Sequence, residues 1–406
     1  MARMRIDGLR WVAYMVFVVS SILNYLDRQL IAALAPLIMA EMHLTQAAFG
    51  LLISVFSVAY AASSLAAGWF IDRAGVNRAI STAVAWWSLA GLCTSVAKSF
   101  AGLAACRTAL GIGESAGVPA VGKVNAMYLK PAERALGTAA NQIGLSLGAA
   151  SAALWVGVAI AYGWRMPFLI TGLCGLLWIP LWLAVSRAIP PSEPPARPPQ
   201  RRSEWTILGS RPLILLVVAN VLWMGAYALW SSWTTLYLTH VHHVSLLQSV
   251  SYIWIPPLVS NAGGFFGGWL SWRSIRGGAN PVTARRRAVW VSAAGALVTL
   301  ALPFAPDAGW ATALISASFF FVLAGSVNIY ALPIDIFGAA RSGLAISALT
   351  CAFGVLQTAI SPVIGYLSDH RLYTQVIWLV TAPLIASALV LMGIKEESFR
   401  SDRPPA

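Results

Sequence analysis

Apolar segments about 20 residues long recur along the whole chain, and this repetition limits its fold more than any other feature. A membrane-spanning helix needs about 20 consecutive, mostly apolar residues. The chain is 58% hydrophobic and 10% charged, whereas soluble domains are roughly 25% charged, so a soluble fold is excluded. Twelve segments qualify, at approximately 11–38, 48–71, 79–98, 101–126, 134–162, 166–187, 213–239, 246–272, 288–304, 309–335, 342–367 and 373–394. We therefore predict an all-α membrane protein with twelve transmembrane helices.

The basic residues are distributed unevenly between the two sides of these segments. The net charge of +13 would fit either nucleic-acid binding or the excess of Lys and Arg that cytoplasmic loops carry. The N-terminus, the even-to-odd loops and the C-terminal tail hold 21 Lys and Arg residues, and the opposite loops hold three, Lys98, Arg165 and Arg371. This asymmetry predicts that both termini are cytoplasmic, and it requires no nucleic-acid partner.

A proline-rich, basic segment interrupts the apolar pattern after the sixth span. Its composition cannot form a packed core. We predict a six-helix bundle at 1–187, a cytoplasmic linker at 188–211, a second six-helix bundle at 212–394 and a cytoplasmic tail at 395–406. Two related halves are indicated by Gly68-Trp69 after the second span and Gly268-Trp269 after the eighth.

Two pairs of charged residues lie deep within predicted spans, Asp27 and Arg28 in the first and Arg107 and Glu114 in the fourth, which also holds Lys123. Charge inside a bilayer is costly and marks transport pathways, although static ion pairs that hold helices together are the simpler reading. Arg107 and Glu114 are seven residues apart, so they share a helix face at a separation of about 10 Å. Asp27 and Arg28 are adjacent, so their side chains diverge by about 100°. We interpret the four residues as the centre of a transport site.

The segment Gly68-Trp69-Phe70-Ile71-Asp72-Arg73-Ala74-Gly75-Val76-Asn77-Arg78 resembles the loop signature of the major facilitator superfamily. Gly68, Asp72, Arg73, Gly75 and Arg78 carry the match, and Asn77 replaces a usual basic residue. The resemblance implies two six-helix bundles around a central cavity that opens alternately to each side of the membrane. It also implies that this loop braces the outward-open state.

Further motifs resemble the anion:cation symporter family, and within it the proton-coupled galactonate, hexuronate and glucarate importers. They are Asn24-Tyr25-Leu26-Asp27-Arg28, Tyr60, Arg107 with Gly111-Ile112-Gly113-Glu114, and Asn141-Gln142-Ile143-Gly144. The resemblance implies symport of a sugar acid, such as a hexuronate or aldonate, with protons carried by Asp27 and Glu114. Arg107 and Arg28 would bind the carboxylate, helped by Asn24, Tyr25, Tyr60 and Gln142. No enzyme activity and no cofactor is implied, since the proton gradient supplies the energy.

The second half of the chain offers weaker signals for the substrate site. Polar and aromatic residues at helical spacing predict that Tyr227, Trp230, Asn328 and Gln357 contact the variable part of the substrate. His240, His242 and His243 are interpreted as loop histidines, because no acid or cysteine accompanies them, and no metal site is predicted. We expect a monomer in the bacterial inner membrane, with the lipid bilayer, protons and a small organic anion as its partners.

Three alternative functions remain open at this level. A spinster-like transporter of lipids or amphiphiles shares a similar first-span motif and a fourth-span Arg and Glu, although Gln142 and Lys123 favour the anion importers. An exporter of organic anions would use the same charged residues in the other direction. A sensor or membrane enzyme is a different class, and the sequence offers no nucleophile–base pair, metal cluster or large signalling domain to support it.

Overall fold

The computed structural model describes residues 2–130, 133–189, 207 and 209–394, with side chains except at 2–8, 65, 72, 118, 135 and 339–341. Within these ranges the chain is helical and has no strands. The α-helices are α1 (Ala2–Ala33), α2 (Ala35–Met42), α3 (Gln46–Ala74), α4 (Val76–Val96), α5 (Phe100–Glu114), α6 (Gly117–Tyr128), α7 (Arg134–Ser151), α8 (Leu154–Tyr162), α9 (Arg165–Ala188), α10 (Arg211–Val241), α11 (Leu246–Ile253), α12 (Ile255–Arg276), α13 (Pro281–Ala296), α14 (Ala308–Asp369) and α15 (Tyr373–Met392). A 3₁₀ segment, Leu297–Phe304, extends α13.

Ten helical stretches of the described chain are long and apolar enough to cross a membrane. They include both parts of α14, which turns at Gly338, where φ is +71°. The predicted spans at 101–126 and 246–272 are not among the ten. The first is divided into α5 and α6 at Ser115–Ala116, and the second into α11 and α12 at Trp254. The all-helical membrane architecture is therefore confirmed, and the count of twelve spans stays a prediction.

Prolines account for two of the interruptions. A proline ring has no N–H and clashes with the carbonyl four residues earlier, so a helix usually restarts near it. Pro36 stands in the first turn of α2, just after the break at Leu34. Pro256 and Pro257 stand in the first turn of α12, just after the break at Trp254. Both breaks thus follow from the sequence.

The helices group into two compact units. Unit 1 contains residues 1–198 and 235–254, and unit 2 contains residues 199–234 and 255–406. The segment 235–254 groups with unit 1, where α11 contacts α8. Residues 190–206, 208 and 395–406 lie outside the described chain, so most of the predicted linker and the predicted tail are not described.

Close helix contacts in unit 1 depend on glycine. In lipid, helices associate through tight packing, and small residues let their backbones approach. A Cβ atom on Gly111 of α5 would lie 2.5 Å from the Phe56 carbonyl oxygen of α3. A Cβ atom on Gly148 of α7 would lie 2.4 Å from the Ile22 carbonyl oxygen of α1. These contacts hold α5 against α3 and α7 against α1, and α5 and α1 carry the four predicted charges.

Unit 2 uses the same device between α12 and α14. A Cβ atom on Gly263 would lie 2.0 Å from the Phe320 carbonyl oxygen, and one on Gly267 would lie 2.1 Å from that of Ala324. Gly263 and Gly267 thus let α12 approach the backbone of α14 closely. By contrast, a Cβ atom on Gly268 would meet nothing within 4 Å.

An ion pair in unit 1 ties three elements together away from the buried charges. Arg165, at the start of α9, forms a salt bridge with Glu41 of α2, and its Nη2 donates to the Ala97 carbonyl after α4 at 3.1 Å. The Trp164 indole N–H also donates to Glu41, at 2.8 Å. The hydrogen bond from Arg165 lowers the pKa of the Glu41 carboxyl below its ordinary value.

Candidate functional site

The charges predicted within the first and fourth spans come together in unit 1. Asp27 and Arg107 are each 3% exposed, and Glu114 is 1% exposed. Arg28 is half-buried, with 24% of its side chain exposed. A buried charge is strongly unfavourable unless another charge or a hydrogen bond compensates it. The arrangement of these side chains therefore decides what the site can bind.

Arg28 and Glu114 form a direct ion pair between α1 and α5. The Arg28 guanidinium donates to one carboxylate oxygen, Oε2, from Nε at 2.9 Å and from Nη2 at 2.7 Å. Oε1 of Glu114 is buried and has no hydrogen-bond partner within the described residues. Three aromatic rings surround the guanidinium, with centroids 5.1 Å away for Tyr25, 5.1 Å for Phe56 and 4.8 Å for Tyr60. Rings at these distances stabilise the cation without neutralising it.

Arg107 has the least satisfied charge in the site. Its guanidinium lies 4.5 Å from the Phe56 ring centroid. Its Nε and Nη1 are buried, and neither has a hydrogen-bond partner in the described part of the chain. The free-energy cost of leaving a buried hydrogen-bond donor unpaired is larger when the donor belongs to a charged group. An anion that accepted a hydrogen bond from either nitrogen would lower that cost. A carboxylate can bind side-on to Nε and Nη2 or end-on to Nη1 and Nη2.

Asp27 faces a different neighbour from Arg28, as their adjacency predicts. Thr171 of α9 lies beside the Asp27 carboxyl, which also interacts electrostatically with Glu114 and Arg107. Its Oδ1 is buried without a hydrogen-bond partner among the described residues. Two buried carboxyls therefore each keep one oxygen available, and both lie within electrostatic range of Arg107.

The neutral residues of the motifs differ from one another in their burial and in their contacts with the charged residues. Tyr25 and Tyr60 lie against Arg28, and Asn24 is buried with Nδ2 lacking a partner within the described chain. Gln142, predicted to contact substrate, is exposed, whereas the preceding Asn141 is buried and accepts a hydrogen bond from Ser21 at 2.7 Å. The role predicted for Gln142 stays a prediction.

Sequence reasoning missed two neighbours of the charges, Phe56 and Thr171. Phe56 stacks between the two arginines and lies 5.9 Å from Tyr60, centroid to centroid. Its position four residues before Tyr60 places it on the same face of α3, so helical spacing could have indicated it. Thr171 carries no comparable signal, because its relation to Asp27 depends on how α9 packs against α1.

In unit 2, two of the four predicted contact residues, Trp230 and Asn328, form hydrogen bonds to neighbouring helices. The Trp230 indole N–H donates to Ser318 at 2.8 Å, and Trp230 is 3% exposed. Asn328 is fully buried, and its Nδ2 donates to the carbonyls of Gly267 and Ala324, both at 2.9 Å. A substrate contact by the Trp230 indole N–H or the Asn328 Nδ2 would compete with these bonds.

The other two predicted contacts in unit 2 keep more accessible surface. Tyr227 lies edge-on to the rings of Phe319 and Phe353. Gln357 is half-buried on α14. The substrate roles of all four residues stay predictions.

The loop signature joins α3 to α4 through Gly75, whose φ is +79°. This left-handed conformation is accessible to glycine at little cost. The Arg73 guanidinium lies 5.4 Å from the centroid of the Trp69 ring, and Arg78 is exposed. A Cβ atom on Gly68 would meet nothing within 4 Å. The Asp72 side chain lies outside the described part of the molecule, so its predicted bracing role is untested.

Among the described residues, no group of three or more His, Cys, Asp or Glu side chains could hold a metal ion. The charged side chains at the site supply two carboxyls and two guanidinium groups.

Comparison with known proteins identifies the family. The model of the Major Facilitator Superfamily matches residues 17–334. The chain belongs to this superfamily. A galacturonate transporter of Dickeya chrysanthemi is 27% identical over 284 residues, which cover 66% of this chain and 82% of that protein. A probable sulfoacetate transporter of Cupriavidus necator is 28% identical over 366 residues, covering 85% of this chain and 84% of that one.

A hexuronate transporter of Escherichia coli K12 is 25% identical over 284 residues, covering 66% of each chain. The predicted resemblance to sugar-acid transporters is confirmed, and the relatives are transporters and not enzymes. A solved structure of a bacterial homologue of the lysosomal transporter Spinster superposes with a TM-score of 0.73 over 95% of both chains. Its identity of 18% shows a shared fold only.

Proposed function

We propose that this major facilitator protein imports a small organic anion, a sugar acid such as a hexuronate or aldonate, together with protons. The observation that carries the proposal is Arg107, a buried guanidinium whose Nε and Nη1 have no hydrogen-bond partner among the described residues. A carboxylate can accept two parallel hydrogen bonds from such a group. The sugar-acid transporters among the relatives support this class of substrate.

The ion pair between Arg28 and Glu114 suggests how protons are coupled to the anion. While Glu114 is ionised, it occupies the donors of Arg28. A proton on Glu114 would remove that partner and leave the guanidinium free to bind the substrate. Binding of a proton and of an anion would then favour each other, which is the requirement for symport.

Asp27 would contribute the second coupled proton. Its carboxylate attracts Arg107, so it competes with an incoming anion for the same guanidinium. A proton on Asp27 would end that competition. If two protons accompany one monoanion, each turnover moves one positive charge inward, and the membrane potential would add about 2.3 kcal/mol per 100 mV.

The membrane arrangement belongs to the same proposal. We propose twelve spans, in which α5 with α6 and α11 with α12 each form one interrupted span. Interrupted helices are tolerated where protein covers the freed backbone groups. The excess of Lys and Arg in alternate loops supports cytoplasmic termini, in the inner membrane of a bacterium. Alternating access would then be the mode of transport, with the loop around Gly75 as its brace.

A small sulfonate is a second candidate substrate. The probable sulfoacetate transporter aligns with a larger share of this chain than the galacturonate transporter does. A sulfonate also presents a charged group that accepts hydrogen bonds from arginine. This candidate keeps the roles of Arg107 and the two acids and changes the anionic group, the net charge, the size and the hydroxyl pattern of the substrate.

Uptake into proteoliposomes tests the proposal directly. Radiolabelled glucuronate, galactonate and sulfoacetate would be offered to the wild type and to Asp27→Asn, Glu114→Gln and Arg107→Ala, with an inward proton gradient. We expect gradient-driven uptake by the wild type, exchange without proton-driven accumulation by the two acid variants, and no binding by Arg107→Ala. Arg187→Gln removes an exposed charge outside the site and serves as the control.

Three results would contradict parts of the proposal. Uptake that ignores the proton gradient would exclude symport. Electrically silent uptake would exclude two protons per monoanion. If lipids or amphiphiles are transported and none of the three anions is, the substrate class is that of a spinster-like transporter and not a small organic anion.

A further inference from the structure

A second feature, at the C-terminal end of α12, is not needed for transport of an anion. Two tryptophan–arginine pairs follow each other there at a spacing of three residues. The Arg273 guanidinium lies 5.5 Å from the centroid of the Trp269 ring, and that of Arg276 lies 4.8 Å from the centroid of the Trp272 ring. Both indoles are about half exposed, at 45% and 51%. Exposed tryptophan is typical of the membrane–water interface.

The two guanidinium groups are not used to end the helix. Backbone N–H groups of Gly277, Gly278 and Ala279 donate to the last carbonyls of α12 at 3.0 to 3.1 Å. Gly278 has φ of +88°, which allows this turn. The helix is thus capped by its own backbone, and both arginine side chains remain exposed at its end.

Neither arginine is recorded in an ion pair within the described chain. Unit 2 has three described acids, Asp307, Asp335 and Asp369. Asp307 caps the start of α14, and Asp335 forms a salt bridge with Arg285 of α13. Asp369 ends α14. The positive charge of Arg273 and Arg276 therefore has no recorded carboxylate partner.

An open apolar strip leads away from Arg276 along the same face of α12. Trp272, Gly268 and Phe265 lie four, eight and eleven residues before Arg276, which keeps all four on one side of the helix. Phe265 is 67% exposed, and Gly268 has open space where a side chain would stand. At 1.5 Å per residue this strip is about 16 Å long, which approaches the length of an acyl chain.

We propose that this end of α12 binds one anionic phospholipid. The guanidinium groups of Arg273 and Arg276 hold the phosphate, and the glycerol region lies at Trp269 and Trp272. One acyl chain follows the strip over Gly268 to Phe265. Tryptophan stacking holds each guanidinium at the helix surface and lowers the ordering cost of binding, because the side chains lose less freedom.

The corresponding end of α3 lacks half of this arrangement. Trp69 and Arg73 form a single stacked pair there. Asp72 stands at the position that Trp272 occupies in α12, so the second ring is absent and an acid is added. We therefore assign the lipid site to α12 alone.

Native mass spectrometry of the full chain in mild detergent tests the site, with phosphatidylglycerol and phosphatidylcholine offered at equal concentrations. We expect the wild type to retain phosphatidylglycerol about 30-fold better, equivalent to about 2 kcal/mol from two arginines. The double variant Arg273→Gln/Arg276→Gln should lose most of this preference. Arg187→Gln removes an exposed arginine at the end of α9, for which no stacked tryptophan is recorded, and should keep the preference.

Brominated acyl chains give an independent measurement in the folded wild type. Brominated phosphatidylglycerol should quench tryptophan fluorescence more than brominated phosphatidylcholine does, and Trp272→Phe should remove most of that difference. Equal retention of both lipids, or an equal loss in Arg187→Gln, would overturn the proposal. Displacement of the lipid by glycerol phosphate at a similar concentration would show a phosphate site and not a lipid site.

Discussion

The two units of this protein differ in the charge of the polar groups that they bury. Unit 1 buries Asp27, Arg107 and Glu114, each at 3% exposure or less. Within the described chain, the buried polar side chains of unit 2 are all Ser, Thr or Asn. Its ion pair, Arg285 with Asp335, keeps 21% and 15% of the two side chains exposed.

In the proposed function, this difference would place proton coupling in unit 1 and leave unit 2 with polar groups that hold helices together. Groups that change charge are needed to couple an anion to protons, and in the described chain the deeply buried ones lie in unit 1. The polar groups of unit 2, such as Asn220 and Asn328, donate to backbone carbonyls of neighbouring helices. We therefore expect substitutions in unit 1 to change coupling and binding, and comparable substitutions in unit 2 to change stability first.

The largest effect is expected from Arg28→Gln. This change leaves the fully buried Glu114 carboxylate without its cation, and such a loss costs about 3–5 kcal/mol of unfolding free energy. Arg285→Gln is the matched variant in unit 2 and should cost less, because Asp335 is partly exposed. Thermal unfolding in detergent measures both.

The double variant Arg28→Gln/Glu114→Gln sharpens this prediction. It should recover part of the stability lost in Arg28→Gln, since the orphaned charge is removed. A double variant that is no more stable than the single one would show that the pair is not the relevant interaction.

Arg107→Ala should reduce uptake of the anion by about 100-fold or more, since a charge-assisted bidentate contact is worth a few kcal/mol. Asn220→Ala is its counterpart in unit 2. It removes a buried hydrogen bond to the Leu349 carbonyl and should lower stability by about 1–3 kcal/mol with little change in the concentration for half-maximal uptake. Equal losses of uptake in both variants would remove the distinction between the units.

Replacing glycine with alanine at helix contacts should change stability by an intermediate amount. Gly267→Ala places a carbon against the Ala324 carbonyl and should cost about 1–3 kcal/mol, whereas Gly268→Ala enters open space and should be nearly neutral. Gly111→Ala in unit 1 should also impair uptake, because α5 carries both Arg107 and Glu114. The midpoint of thermal unfolding and the uptake rate are the two measurements.

The smallest effect is expected at Glu41, where exposed ion pairs contribute about 0.2–1 kcal/mol. Its pKa is lowered in the folded protein, so its contribution is present above the ordinary glutamate range and is lost as pH falls through the lowered value. Glu41→Gln should therefore be slightly less stable than wild type at neutral pH and indistinguishable from it in strong acid. A constant difference across the pH range would assign the effect to packing.

Sequence alone located the charges but not their partners. Charge within apolar segments identifies Asp27, Arg28, Arg107 and Glu114 from composition and position. The structure pairs Arg28 of α1 with Glu114 of α5, and not Asp27 with Arg107. This choice depends on how α1 is rotated against α5, which the positions of the residues in the sequence do not determine. Asn141 is buried and the adjacent Gln142 is exposed, since one residue rotates a helix by about 100°.

Substrate contacts are harder to predict from sequence in unit 2, because its buried polar residues are neutral. A neutral side chain at helical spacing fits a cavity wall and a packed interface equally well. Trp230 and Asn328 lie in packed interfaces, where Ser318 and the carbonyls of Gly267 and Ala324 accept their hydrogen bonds. Ser318 and Gly267 lie far along the chain from these residues, so local pattern does not reveal them as partners.

The approach of α3 to α5 at Gly111 also restricts how this protein can change over generations. Every amino-acid replacement of glycine adds at least one carbon, and here the first added carbon meets a backbone oxygen at 2.5 Å. No neighbouring side chain can be shortened to make room for it, since the obstacle is main chain. The spacing between the two helices is therefore inherited unchanged, and variation has to arise at residues outside this contact.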